Sequence, residues 1–460
     1  MSRAMLRSSA FVIALAASLA MARGTDDAPA LALRSQLTEG EAATVIRHRP
    51  GWDVCLPNLA ALTPDVAAAL AKPAGFYRLS LPAVETLSPD VARALAYRAG
   101  DIDLPGLTTL SPATAAAFAQ HRGHLELGGL STLTVEVAAA LATHAGHLCL
   151  PGLTELSADV AAALAAKRNQ LSLPGLAGVS VEAATAIARH KGGQLTLGGV
   201  VHLPAEVADA FAAHRGSLAL PRLADLSVES ATALGRHAGS LTLGCLGTLS
   251  VEAAAALAEH EGQLTLGGGS QLPPAVAAAL AAHRGTLSLP DLHLLTAEVA
   301  AAFALHGGVL CLPSVATLSA AAAEALAVHQ GRLVLSGLTT LSPEAAHALT
   351  GHRGDIDLFK LAHTASLDSV EIAGLLTRNI RMLCLPNVRR LDAADSVAIA
   401  DRLAAGNGAV SLPNLKAASP ATVSALLAGG NVALPPLATI ELIAEPSAGQ
   451  PLAQRDLGRD

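Results

Sequence analysis

The chain has 460 residues, enough for two or three ordinary domains on length alone. Aromatic residues make up 2% of it and the formal net charge is −7, with both signs scattered. That composition supports neither stacking on bases nor an aromatic sugar platform, and without a basic patch nucleic acid is not an expected partner.

The first residues read as an export signal. Arg3 and Arg7 supply a positive end, Ala10 to Leu19 is an apolar run, and Ala20-Met21-Ala22 is a small-x-small site. Cleavage is expected after Ala22, which places the mature chain in the periplasm or outside the cell. The apolar run is short for a bilayer span, and no other stretch is long and apolar enough to cross one, so no membrane span is expected in the mature chain.

Residues 23–36 read as a polar linker and 37–78 as N-terminal capping coils. Thr38 suits the N-cap of a helix running to His48, with Glu39 and Glu41 in its first turn. Val54-Cys55-Leu56 is the first expected strand. Lys72-Pro73 interrupts the pattern at the end of the next helix.

From residue 79 to 358 the chain repeats. A Leu-x-Leu pair recurs at residues 79, 102, 125, 148, 171, 195, 218, 241, 264, 287, 310, 333 and 356, with Ile at 102 and 356. Nearly every step is 23 residues. A sustained period of this size means a solenoid, because one such unit cannot bury its apolar face alone. The fold class expected is a right-handed α/β solenoid of about 17 coils, each a short parallel strand followed by a short Ala-rich helix.

Each coil has the same grammar. In Leu-x-Leu the two leucines share one face and the middle residue takes the other. Pro or Gly then ends the strand. Ser or Thr caps the helix that follows, as at Ser111, Ser157 and Ser250, often with an acidic residue at its second position. Val137, Ala140 and Leu141 fall on one helical face, with Ala139 and Thr143 outward. Gly closes most helices (Gly123, Gly146, Gly239), and Asn169 replaces it once. These residues read as left-handed C′ caps. Residues 359–443 stretch the period to 27 twice and read as irregular C-terminal coils and a cap. Residues 444–460 read as a flexible tail.

With its 23-residue period, Leu-x-Leu strand and following helix, the chain over residues 37–443 resembles the leucine-rich-repeat family. The family pattern is Leu-x-x-Leu-x-Leu-x-x-Asn-x-Leu. With Ile102 and Leu104 at its second and third leucines, the first falls on Ala99, the Asn on Leu107 and the last on Thr109, beside Leu110. There is no Asn ladder, so the resemblance is to a divergent, bacterial-type variant. It implies a binding or scaffolding protein that meets a ligand on its exposed strand face.

Two sets of residues stand out. His121, His144, His190, His214, His237, His260, His283, His306, His329 and His352 occupy one place at the helix end, and Arg98, Lys167 and Asn379 substitute there. Such a ladder suggests a metal array or a pH switch. A metal array would not accept Arg or Lys, so the expected role is structural, donating hydrogen bonds to helix-end carbonyls. The second set lies on the strand face, which elsewhere is bland (Ser172, Thr196, Thr242, Thr265). In three successive coils it reads Asp101 and Asp103, His124 and Glu126, then His147 and Cys149. This is either a polar patch with Asp–His hydrogen bonds or a site for a divalent transition metal or a cationic partner. A flat sheet converges ligands poorly, which favours the first. Asp355 and Asp357, beside Arg332 and Arg381, read as ion pairs.

The five cysteines lie in coils too far apart for an expected disulfide. No nucleophile–base pair, phosphate-binding glycine loop or Cys-x-x-Cys site is present, so no enzyme activity, cofactor or committed metal is expected. The expected function is that of an exported repeat protein binding another protein or a glycan. The alternative is a spacer or self-assembling envelope component, and the sequence leaves the oligomeric state open.

Overall fold

The computed structural model describes residues 28–47, 53–72, 78–358, 360–361, 369–379, 382–391, 395–406 and 408–443. The expected export signal, the expected C-terminal tail, His48 and Arg381 lie outside them. The chain divides into two units, residues 1–245 and 246–460.

In the first unit nine short strands run parallel, each paired with its successor in the sequence, from Val54–Cys55 through Leu79–Ser80, Ile102–Asp103, Leu125–Glu126 and onward to Leu241–Leu243. Leu79 faces Ile102, which faces Leu125, Leu148, Leu171 and then Leu195. The step from 171 to 195 is one residue longer, yet the register holds. The extra residue sits in the helix-to-strand loop at residues 191–193, where a Cβ added to Gly193 would meet nothing within 4 Å.

The second unit continues the same plan with parallel strands at Leu264–Leu266, Leu287–Ser288, Leu310–Cys311, Leu333–Val334 and Ile356–Asp357. Its last coils differ. Met382–Cys384, Ala409–Ser411 and Val432–Ala433 form one three-stranded sheet, and Arg390–Leu391, Ala417–Ala418 and Glu441–Leu442 form another. Among the described residues, nine coil-opening strands in the first unit and eight in the second match the 17 coils read from the period. The fold is an α/β solenoid in which coil after coil supplies a short parallel strand and, in nearly every coil, a short helix.

The helix Val135–Ala142 shows why each coil folds as it does. Thr134 Oγ1 accepts from the Val137 N–H at 3.3 Å, so one orphan donor of the first turn is satisfied. Serine caps repeat this at Ser88, Ser157, Ser250 and Ser342. Val137, Ala138, Leu141 and Ala142 are buried, while Ala139 and Thr143 are exposed. Ala138 thus takes the inner place expected of Ala140, which is half-buried. Behind the strand, Leu125, Leu127 and Leu130 complete the core of the coil.

The helix ends correct the reading of the glycines. Positive φ is found only at Gly268 and Gly430 among the described residues. The helix instead tightens, with a right-handed C-cap at Thr143 and the His144 N–H donating to Leu141 O at 3.0 Å. Glycine is needed for close approach. A Cβ added at Gly123 would come within 2.6 Å of Gly100 O and 3.0 Å of His121 Cε1. Gly239 and Gly331 are hemmed in the same way by the preceding coil's glycine carbonyl and their own coil's imidazole.

Part of the stretch read as a linker is packed. Ala28–Leu31 is a helical turn, Leu31 and Ala32 are buried, and Asn58 Nδ2 donates to Leu33 O at 2.8 Å. The following helix, Glu39–Arg47, starts with a capping box in which Thr38 and Glu41 exchange side-chain-to-backbone bonds.

Candidate functional site

Each ladder histidine sits one turn past a buried Leu, Ile or Phe, so its ring enters the interior. All ten are at most 4% exposed. The rings stack coil on coil. Centroids are 5.4 Å apart for His121–His144 and 5.9 Å for His190–His214 and His214–His237 in the first unit. In the second unit His283–His306 lie 6.0 Å apart and His306–His329 5.9 Å.

The expected donation to carbonyls is partly met, and the carbonyls are mostly those of the preceding coil. His121 Nδ1 lies 3.1 Å from Arg98 O, His190 Nε2 3.0 Å from Asn169 O and His214 Nδ1 3.2 Å from Ala188 O. His329 Nδ1 meets Gly331 O of its own loop. Lys167 does the same task with a longer arm, its Nζ donating to His144 O and Gly146 O at 2.7 Å each. Arg98 Nη1 reaches Leu70 O. At His237 and His260 the Nδ1 atoms accept from the N–H of Gly239 and Gly262. At His144, His283, His306 and His352 neither ring nitrogen has a hydrogen-bond partner.

Burial sets the charge of this row. It pushes His144 down to about 3, with Lys167 and neighbouring imidazoles adding to the effect. His190 and His306 fall to about 4, again chiefly through burial. His121, His214, His283, His329 and His352 are lowered for the same first reason. These eight rings are therefore neutral near pH 7, which fits packing.

The strand-face patch forms where matching positions of adjacent strands stand side by side. Asp103 pairs in register with Glu126, and Glu126 with Cys149. Asp101 Oδ1 accepts from the backbone N–H of His124 at 2.9 Å, as Asp53 does from Arg78 two coils earlier. The Asp–His contact expected here is thus to the backbone of His124. Asp103, only 5% exposed, accepts from Ser80 Oγ at 2.8 Å and lies 3.0 Å from the Arg78 guanidinium. The same guanidinium donates to Glu126 Oε2 at 2.7 Å. Burial lowers the pKa of Arg78, but Asp103 and Glu126 outweigh it and raise the net value.

Arg78 is the residue that the sequence reading missed. Its signal was its register. It directly precedes Leu79, as Asp101 precedes Ile102 and His124 precedes Leu125.

The remaining residues face one another. The rings of His124 and His147 are parallel within 8°, with centroids 4.3 Å apart. One donor atom from each of His124, Glu126 and Cys149 lies within 4.8 Å of the other two. His124 Nε2 is buried and has no hydrogen-bond partner. Cys149 is 9% exposed, and burial, with Glu126 adding, pushes its thiol up to about 12. Burial pulls His147 down to about 4, helped by the neighbouring His124 imidazole. The structure therefore brings His124, Glu126, His147 and Cys149 together, while Arg78 and a backbone amide engage Asp103 and Asp101. In the second unit burial pushes the Cys311 thiol up, with Arg332 opposing the shift and Asp357 adding to it. All five cysteines lie among the described residues, and none of them is in a disulfide.

No family model matches the sequence, and no curated protein matches it significantly. Several solved structures align with it. A chain of the Toll–Spatzle complex of Drosophila is 14% identical, with a TM-score of 0.40 over 78% of this chain and 53% of that one. This chain therefore spans about half the length of the Drosophila one. A leucine-rich-repeat protein of Leptospira interrogans is 16% identical, with a TM-score of 0.40 over 76% of this chain and 87% of that one. An internalin of Listeria monocytogenes is 14% identical, with a TM-score of 0.34 over 72% and 88%. The fold assignment itself rests on the period, register and caps described above. No helix among the described residues is long and apolar enough to cross a membrane.

Proposed function

We propose that this chain is an exported, non-enzymatic binding scaffold that meets another macromolecule, a protein or a glycan, on its strand face. The observation that carries this reading is a contrast along that face. Buried positions repeat coil after coil, whereas the outward positions change from neutral residues such as Ser172 and Thr196 to the grouped Arg78, Asp103, His124, Glu126 and His147. Packing demands the repetition; it does not demand charge on the outer face. With aromatics at 2%, a protein partner fits better than a stacked sugar. Export is supported by the charged, then apolar, then small-residue order of the first 22 residues.

The test is affinity capture from envelope and culture-fluid extracts, using the wild type and an Arg78→Ala, Glu126→Ala variant. A protein or glycan retained by the first and lost by the second supports the reading. Capture of nothing by folded wild type, or of the same material by both, counts against it. The uniformity of coils such as those at Thr242, Thr265 and Ser288 favours a second reading, a structural spacer that associates with itself. Light scattering across a concentration series separates the two, since a monomer throughout removes self-assembly.

A further inference from the structure

We propose that His124, Glu126 and Cys149 form a binding site for a divalent transition-metal ion of the zinc type. This goes beyond the scaffold reading and stands or falls separately from it.

Three features support the site. The first is convergence. A nitrogen, an oxygen and a sulfur donor from two adjacent strands lie within 4.8 Å of one another. In a tetrahedral zinc centre such donors sit roughly 3.3–3.7 Å apart, so side-chain rotation of about 1 Å closes the set. The second is an unused donor. His124 Nε2 is shielded from solvent and bonded to nothing, and a buried ring nitrogen without a partner calls for an explanation. Glu126 likewise gives only Oε2 to Arg78, which leaves Oε1. The third is donor type. An imidazole, a thiolate and a carboxylate suit a borderline-soft ion, whereas calcium and magnesium take oxygen ligands.

The charge balances. On binding, the Cys149 S–H bond breaks, its proton leaves to solvent and the sulfur lone pair goes to the metal; no electron is transferred. A divalent ion with one thiolate and one carboxylate is neutral, so Arg78 keeps Asp103 as its partner at 3.0 Å. The fourth position is left to water. His147 stacks flat on His124 at 4.3 Å, which places it as a cover for the site.

The experiment uses the full, untagged, reduced chain and two probes, zinc by calorimetry and cobalt by absorption. The expected result is one ion per chain with proton release, and a thiolate-to-cobalt charge-transfer band. Cys149→Ser abolishes the band. His124→Gln and Glu126→Gln each weaken zinc binding at least tenfold. Cys384→Ser, which changes an exposed thiol elsewhere, leaves both signals intact. The proposal is overturned if the wild type takes up no metal, if Cys149→Ser keeps the band, or if His124→Gln binds zinc as tightly as the wild type. Circular dichroism confirms that each variant is folded; should Cys149→Ser fail that check, the His124→Gln titration decides.

Discussion

Two pairs of stacked imidazoles lie three residues apart on the same two coils. His121 and His144 stack in the interior, and His124 and His147 stack on the strand face. The inner pair faces backbone, with one bond to Arg98 O, and sits in a row of like rings. The outer pair faces Glu126 and Cys149, which offer a carboxylate and a thiol. The same side chain at the same step of the repeat thus fills space in one place and gathers donors in the other. What it can do is decided by its neighbours.

The sharpest way to break this comparison is acid. Unfolded imidazoles take up protons near pH 6.5, whereas the buried rings resist until about 4 or, for His144, about 3. Between those values the unfolded chain binds more protons than the folded one, so stability is full above about 6.5 and falls as the pH drops. The loss between pH 7 and pH 4.5 should total several kcal/mol, since each ring gives up ~1.4 kcal/mol for every tenfold difference in proton affinity between the unfolded and folded chain. It would be read as a fall in the urea midpoint. An unchanged midpoint would mean that the inner rings are not the neutral packing described here.

Next in size is the glycine beside the inner rings. Gly331→Ala drives a Cβ into Gly308 O and to 2.9 Å from His329 Cε1, and should cost about 2–3 kcal/mol in thermal or urea unfolding. Gly307→Ala, with nothing within 4 Å, should be neutral or stabilising by about 0.5 kcal/mol. Equal effects at the two sites would refute the close-approach account.

On the outer face, Arg78→Ala leaves the buried Asp103 with Ser80 alone. A loss of about 1 kcal/mol is expected, held below fully buried values because the guanidinium is partly exposed. The loss should shrink in high salt; a salt-independent loss points to packing instead. The smallest effect is expected at His306, whose ring nitrogens have no partner. His306→Leu should lie within ~0.5 kcal/mol of wild type at pH 7, because no hydrogen bond is lost. It should be more stable than wild type at pH 4.5. Strong destabilisation at both pH values would show that the imidazole has an essential partner.

Much of the fold was legible because apolar spacing, caps and turn residues all repeat and agree. The strand positions and the Ser and Thr caps follow directly from that agreement. The glycines were harder, since a left-handed cap and a close approach both select glycine, and only the neighbouring coil tells them apart. Gly123 against Gly100 is the clear case. The site was legible in its donors and not in their division of labour. Asp103 and His124 look equally available in the sequence. What separates them is Arg78, which stands one coil earlier behind the irregular Lys72-Pro73 stretch and satisfies one of the two.

The loop at Gly193 has a consequence for how such a chain can change in length. The coil that carries one residue more than its neighbours absorbs it between helix and strand, and Leu171 still meets Leu195. A residue added within a strand would instead turn its leucines to the wrong face. Among the regular coils that loop is where an added residue leaves every strand in register. A whole period is the other change that does so, and duplication or loss through misaligned recombination would edit these coils in such steps.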